Sequence, residues 1–219
     1  MFPRPVVAGL LSALALGLLP ASLALAASPS SAETHLDFTV LKNGEPIGHH
    51  QIDLTRTSDG ETVAIRTNIL VTVAYVPVYR FEHTGSEVWL NGRLVSLRSQ
   101  TNDDGDKHVL TVAAKDDHIE IDGDGAHSQA SGGEIPASLW NHDLVKQTTL
   151  LNTLTGKQMA VAVADLGDDT IRSHGADTRA HHYKVTGEIQ RELWYDPAGT
   201  LVQVKFKAKD DSDILYTLG

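Results

Sequence analysis

The sequence predicts an all-β protein. The expected architecture is one large, curved antiparallel sheet, an open or closed β-barrel of roughly 10–12 strands, with one short helical insertion near residues 136–151. Three observations carry this reading. Apolar residues recur with period two rather than 3.6 along most of the chain. Residues that favour tight turns punctuate these runs at short intervals. The 219-residue chain has no cysteine but a hydrophobic share of 41%, so it must be held by one packed core and not by cross-links.

Taken in order, residues 1–26 read as a cleaved secretory signal peptide. Arg4 precedes an apolar run from Val6 to Leu19, Pro20 breaks it, and Ala24-Leu25-Ala26 supplies a small-residue cleavage site. Residues 27–34, beginning Ala27-Ser28-Pro29-Ser30-Ser31-Ala32, read as a flexible lead-in. A single β-rich domain then occupies residues 35–219. Leu36, Phe38 and Val40 open it, and Asn43-Gly44 and Asp59-Gly60 mark the first turns. From residue 63 to 75 the odd positions are Val63, Ile65, Thr67, Ile69, Val71, Val73 and Tyr75, the pattern of a long strand with one buried face. Pro77 cannot donate to a ladder, so residues 75–81 read as an edge, bulge or bend. Asn91-Gly92, Asp104-Gly105, Thr155-Gly156, Gly187 and Asp196-Pro197-Ala198-Gly199 separate later alternations, which include Ile119/Ile121, Met159/Val161/Val163, Tyr183/Val185, Val202/Val204/Phe206 and Ile214/Tyr216/Leu218. Strands joined so tightly must run antiparallel. Between Pro136 and Leu151 that turn punctuation is missing. Pro136 suits a first helical turn, Asn141 suits a cap, and Leu139, Trp140, Leu144, Val145 and Leu151 could cover one helical face.

Composition excludes several functions. Eighteen Lys and Arg against 28 Asp and Glu give a net charge of −10, without the basic runs that nucleic-acid binding requires. Without cysteine there is no thiol nucleophile and no Cys-ligated metal. No segment after the leader is apolar over a membrane-spanning length.

Eleven histidines make a metal site worth weighing, with His49, His142 and His181 as its weak candidates. His49-His50 and His181-His182 are neighbours, however, and adjacent side chains on a strand point to opposite faces. Asp122-Gly123-Asp124-Gly125 begins like a calcium loop but continues with Ala126 and His127, where a ligand and a glycine belong. The acidic clusters are better read as turn residues. Ser138, His142 and Asp143 suggest a hydrolytic triad only by proximity, and no nucleophile elbow, phosphate loop or zinc-protease motif occurs. The sequence therefore calls for no catalytic residue, no cofactor and no resident metal.

The aromatic residues are few, which makes their placement informative. Tyr75, Tyr79, Phe81, Trp140 and Trp194 are the expected lining of an apolar cavity beneath the helical segment. The stretches LKNGEPIGHHQI, IPASLWN and LWYDPAGTLVQVKF resemble an uncharacterised bacterial exported β-rich family of the domain-of-unknown-function type. That resemblance covers about His35 to Leu218 and implies no activity. At the level of fold the layout is similar to periplasmic open-barrel carriers that cup lipid in a curved sheet. The leading expectation is thus an exported, periplasmic or secreted, non-catalytic carrier of an apolar or amphipathic small molecule. An envelope interaction or assembly scaffold with a protein partner is the second expectation, and a hydrolase or metal-dependent enzyme using His142 or His181 the third.

Overall fold

Alternating inward and outward residues build fourteen strands in the computed structural model, which describes Met1 and residues 32–219. The first eight are β1 (Ala32–Lys42), β2 (Glu45–Arg56), β3 (Gly60–Val73), β4 (Val76–Leu90), β5 (Arg93–Asp103), β6 (Asp106–Ala114), β7 (His118–Gly123) and β8 (Ala126–Ser131). After a 3-10 turn at His142–Lys146 come β9 (Thr149–Leu151), β10 (Gln158–Ser173) and β11 (Ala176–Gly187). The chain ends with β12 (Arg191–Tyr195), β13 (Leu201–Lys207) and β14 (Asp213–Leu218). All join one antiparallel sheet in the order β8-β7-β6-β5-β4-β3-β2-β1-β14-β13-β12-β11-β10-β9. Pairing of β1 with β14 brings the two ends of the β-rich chain to the middle of the sheet. β8 and β9 remain as its edges, so the sheet curls without closing.

The concave face is filled by the inward positions. Phe38, Ile52, Ile65, Trp89, Leu97 and Val112, one from each of six adjoining strands, are buried in a single apolar cluster, with Leu193 and Val204 from the other arm. The gap between the edges is covered by the chain between them. Leu151 donates its amide to the carbonyl of Ile135 and accepts from the amide of Ala137, both at 2.9 Å, which extends β9 by a short parallel bridge at Pro136. Beyond β9 the turn at 152–157 folds over the concave face: Ser99 donates its hydroxyl to the carbonyl of Thr153. Two glycines make this approach possible. A Cβ on Gly123 would lie 2.4 Å from the Thr155 carbonyl oxygen, and one on Gly156 the same distance from Ile121 Cγ2.

Because successive hairpins alternate ends in an antiparallel meander, the barrel has two distinct rims. One, the mouth, carries the turns at 43–44, 74–75, 104–105 and 124–125, the 152–157 turn, and the loops at 188–190 and 208–212. The other carries the turns at 91–92, 174–175 and 196–200 together with Ala32 and the C-terminus.

The structure departs from the sequence expectation in three places. There are fourteen strands in place of 10–12, because β8 (AHSQAS) and the three-residue β9 carry no apolar alternation. The insertion at 136–151 is extended at Pro136 and turns only once, over His142–Lys146, capped by the Asn141 side chain accepting from the Asp143 amide. Ala32, Glu33 and Thr34 belong to β1, opposite Leu54 to Arg56, and not to the lead-in. The signal segment lies outside the described residues. Among those residues no helix is long and apolar enough to cross a membrane.

Tight turns with both central residues at positive φ join these strands, and Asn43-Gly44, Asn91-Gly92, Asp104-Gly105, Asp124-Gly125 and His174-Gly175 fill them with a glycine second. The β3–β4 turn does not. It places Ala74 at φ 47° and Tyr75 at φ 66°, where a Cβ costs about 1–2 kcal/mol per residue. Replacing Ala74-Tyr75 by Asn-Gly is expected to raise stability by about 1–3 kcal/mol. A thermal or urea melt would check this, and an unchanged or lowered midpoint would contradict it.

Candidate functional site

A row of polar side chains interrupts the apolar filling. His50 on β2, Thr67 on β3, His83 on β4 and Thr101 on β5 stand directly opposite one another across three strand pairs. All four are buried. They point inward by parity with Ile52, Ile65, Phe81 and Ser99. The Thr67 hydroxyl lies 2.7 Å from His50 Nδ1 and that of Thr101 lies 2.8 Å from His83 Nδ1, so each imidazole is held by one hydrogen bond. Burial pushes both histidines down to about 4, with the nearness of His83 adding to the effect on His50. Both rings are therefore neutral at pH 7. Their Nε2 atoms make no hydrogen bond among the described residues.

These rings form one wall of a chamber of about 130 Å³. Ala137, Ser138 and Leu139 from the edge-covering segment and Thr153-Leu154 from the inserted turn close it from above. Opposite stand Phe206, Tyr216 and Arg191. Tyr216 lies 5.4 Å from the His50 ring and 5.9 Å from Phe206. The guanidinium of Arg191 sits 3.7 Å over the Phe206 ring, and burial lowers its pKa. Its one hydrogen bond among the described residues runs from Nη1 to the carbonyl of Gln190, and no carboxylate pairs with it there. A desolvated cation in that position is normally matched by an anion. Ala137, Thr153, Leu154, Ile189, Arg191 and Phe206 also line a second, larger space of about 840 Å³ at the mouth. Lys184, Lys205, Lys207 and Lys209 border this vestibule against Glu188, Glu192 and Asp213. Among the described residues only Lys207 of those lysines pairs with a carboxylate, Asp213 at 3.2 Å. A net cationic approach in a chain of charge −10 leads into a chamber whose polar groups converge on one space.

Below the chamber, Glu87 is buried between two indoles. Trp89 and Trp140 donate their Nε1 hydrogens to Glu87 Oε2 at 2.8 and 2.9 Å, and the two rings meet edge to face at 5.6 Å. Glu87 Oε1 and the Ser138 hydroxyl are buried with no hydrogen-bond partner among the described residues. Burial raises the Glu87 pKa against the opposing pull of the Trp140 and Trp89 indoles.

The residues singled out from sequence do not form one cavity. Phe81 lines the chamber. Tyr79 is half-buried above it and donates its hydroxyl to Asp103 Oδ1 at 2.7 Å. Trp140 belongs to the Glu87 cluster. Tyr75 is fully exposed at the tip of the β3–β4 hairpin, because its turn projects past the rim. Trp194 packs on the face opposite Leu193, stacked on His182 at 4.1 Å and donating to Asp169. Tyr75 and Trp194 are therefore removed from the cavity lining.

The histidine candidates are also separated. His49 is on the outer face of β2, 3.2 Å from Asp37. His142 and His181 share a surface depression of about 540 Å³ with Tyr183 and Tyr195. His181 has both ring nitrogens engaged, Nδ1 by Asp168 and Nε2 by Asp165 at 3.0 and 2.6 Å, and these carboxylates raise its pKa. A ring held so has no free nitrogen to act as base or ligand. Among the described residues no three His, Asp or Glu side chains are grouped to hold a metal ion.

The likeness of the chain to other proteins follows this architecture. A family model described as a domain of unknown function (DUF6134) matches residues 38–219. The chain belongs to that family. No curated protein matches it. Among solved structures it is similar to a β-barrel-like protein of another domain of unknown function, DUF1849, from Brucella abortus, with 10% sequence identity and a TM-score of 0.60. The likeness covers 87% of this chain and 95% of the other. At that identity it shows the shared β-barrel-like fold alone.

Within the DUF6134 match, sequence reasoning passed over His50, His83, Glu87, Arg191 and Tyr216. Parity could have found the first three, since each occupies an inward position of a strand whose neighbours at ±2 are apolar, aromatic or small. The same parity holds for Arg191, between Ile189 and Leu193, and for Tyr216, between Ile214 and Leu218; what parity does not give is their surroundings, which come from strands distant in sequence.

His50 and His83 bind protons near pH 6.5 when unfolded and near 4 when folded, so their contribution is present above pH 6.5 and is lost as pH falls towards 4. The double variant His50→Gln/His83→Gln should lose less stability than wild type between pH 6.5 and 4.5, by on the order of 4 kcal/mol, about 2 for each histidine. Parallel pH-dependent slopes in urea titrations would refute this. Glu87 has the opposite sign: with its folded pKa raised, its contribution is present below the unfolded value and declines as pH rises. Glu87→Gln, which keeps an acceptor for both indoles, should be more stable than wild type at pH 7–8 by at least about 1 kcal/mol. Glu87→Leu, which strands two buried donors, should lose about 2–4 kcal/mol. Thermal melts of the three proteins at pH 7.5 provide the check.

Proposed function

We propose that this protein is an exported, non-catalytic binding or carrier protein for an amphipathic small molecule with an acidic head. The observation that carries the reading is Arg191, a desolvated guanidinium stacked on Phe206 with no carboxylate partner among the described residues, at the junction of an inner chamber and a cationic vestibule. In this reading the acidic head pairs with Arg191, the Nε2 atoms of the two neutral histidines and the Tyr216 hydroxyl complete its hydrogen bonds, and the rest of the molecule lies in the vestibule along Met159, Val185 and Ile189. The vestibule's volume is within the usual range for small-molecule sites, about 300–1,000 Å³. Export rests on the leader-like pattern of residues 1–26.

The test compares a medium-chain fatty acid with its methyl ester by isothermal titration, in wild type and in Arg191→Met. Wild type should prefer the acid by at least about tenfold, and the variant should lose that preference. Mass spectrometry of organic extracts from the natively purified protein identifies the cellular ligand. Equal or absent binding of acid and ester, together with an extract free of bound small molecules, would reject the reading.

A further inference from the structure

The β3–β4 hairpin is the other place where the molecule breaks its own rules. From Ile69 to Tyr79 (ILVTVAYVPVY) there is no charged residue. Leu70, Val73, Tyr75, Val76 and Val78 are exposed, Tyr75 completely. They lie on both faces of the ribbon: Leu70 is on the outward face, while Val73 and Val76, paired with each other, follow the inward parity of Val71. A groove on a partner protein, or a second copy laid against this ribbon, would cover one face and leave the other wet. A medium that surrounds the tip covers both. Pro77 removes a backbone donor from the exposed end, which lowers the penalty for leaving water. The turn keeps Ala74-Tyr75 at positive φ, where Asn-Gly would be unstrained. That choice places an aromatic ring at the extremity, a residue suited to a membrane–water interface.

The apolar arms have a defined end. Tyr79 donates to Asp103, and the Arg80 amide donates to Asp104, so the acidic 103–106 turn stands where the uncharged ribbon stops and remains in water. About five residues per arm project beyond it, roughly 15 Å of ribbon, enough for one leaflet of a hydrocarbon core of about 30 Å. The hairpin shares the mouth rim with the vestibule. Insertion of the tip would bring Lys205, Lys207 and Lys209 towards the phosphate layer, matching charge to charge.

We infer that the β3–β4 hairpin is a membrane-inserting prong that seats the mouth of the barrel on a lipid bilayer. The prong stands on its own exposed apolar ribbon and not on the ligand proposal, which supplies only its purpose: loading or release of an amphipathic molecule at the bilayer surface.

The test uses the full chain and vesicles of phosphatidylethanolamine and phosphatidylglycerol. Trp89, Trp140 and Trp194 are buried, so Tyr75→Trp adds one exposed indole, and the difference in emission between this variant and wild type reports the tip. On adding vesicles its emission should shift to the blue and be quenched by lipids brominated on the acyl chain. In a flotation assay, Ala74→Asn/Tyr75→Gly and Tyr75→Asp/Val76→Asp should each reduce vesicle partitioning by at least about tenfold. The first of these variants is expected to fold more stably than wild type, so a loss of binding there cannot be a loss of folding. Unshifted, unquenched emission from the Tyr75→Trp tip would overturn the inference, as would unchanged flotation of both double variants. A concentration-dependent dimer in light scattering that these substitutions abolish would overturn it in favour of self-association. Acid-head preference in the titrations is measured without vesicles, so the two proposals fail separately.

Discussion

A fourteen-stranded sheet whose first and last members in spatial order do not pair leaves two free edges and a wide concave face, each unstable in water. The segment from 132 to 157 answers both needs. Its first half pairs with β9 through Ile135 and Ala137, and its last part rests on Gly123, Ile121 and Ser99. Trp140, carried between them, reaches the interior and donates to Glu87. Where this segment touches the sheet directly, the core is packed. Where it bridges, over His50, Thr67 and His83, a chamber remains. The position of the chamber is thus a consequence of how the sheet's edges are covered.

The electrostatics of that chamber follow from its depth. Histidines at such a position give up their charge, since removing an imidazolium from water costs more than a threonine hydroxyl can return. Arginine cannot do the same within the accessible pH range. Arg191 therefore stays charged, and its contact with Phe206 recovers only part of its lost hydration. Its counter-charge is missing among the described side chains even though Asp and Glu exceed Lys and Arg by ten. Those carboxylates are engaged elsewhere, many with histidines on the surface: Asp37 with His49, Asp124 with His108, Asp122 with His127, Asp165 and Asp168 with His181.

How much of this was legible in the sequence differs by level. Period-two runs such as Val63 to Tyr75 and Val202 to Phe206 give the strands directly, because the same alternation that buries one face writes the pattern. The all-β class and the curled antiparallel sheet follow from it. β8 and β9 were not legible, since an edge strand held by backbone pairing needs no apolar side chains. The 136–151 stretch misled for a related reason: Trp140, Leu144 and Leu151 are buried, but from a bridge, a single turn and a strand, and apolar spacing alone does not distinguish these from one helical face. The chamber was still less legible. Its walls come from β2, β3, β4, β12, β13 and β14, so proximity in sequence says nothing of it. An aromatic count points equally to Phe81, which lines it, and to Tyr75, which lies outside the barrel.

The departures from ordinary protein design are not scattered. The half of the barrel nearer the chain termini departs from local propensity, packing and pairing at few points, chiefly the buried carboxyl of Glu87 and the buried hydroxyl of Ser173, which has no partner among the described residues. At the mouth the rules are broken repeatedly: two non-glycine residues in a left-handed turn, an exposed apolar ribbon, a partly buried guanidinium with no carboxylate partner among the described residues, and two histidines held neutral by burial. Each lowers stability, and none is needed to build the sheet, since the other two-residue hairpin turns use glycine and most other inward positions are apolar. Strain and unsatisfied polarity persist where the surrounding fold is strong enough to hold them, and they concentrate where a protein meets something else. The clustering on one rim is the common ground of the two proposals made for this protein, and the packed half is what holds that rim in shape.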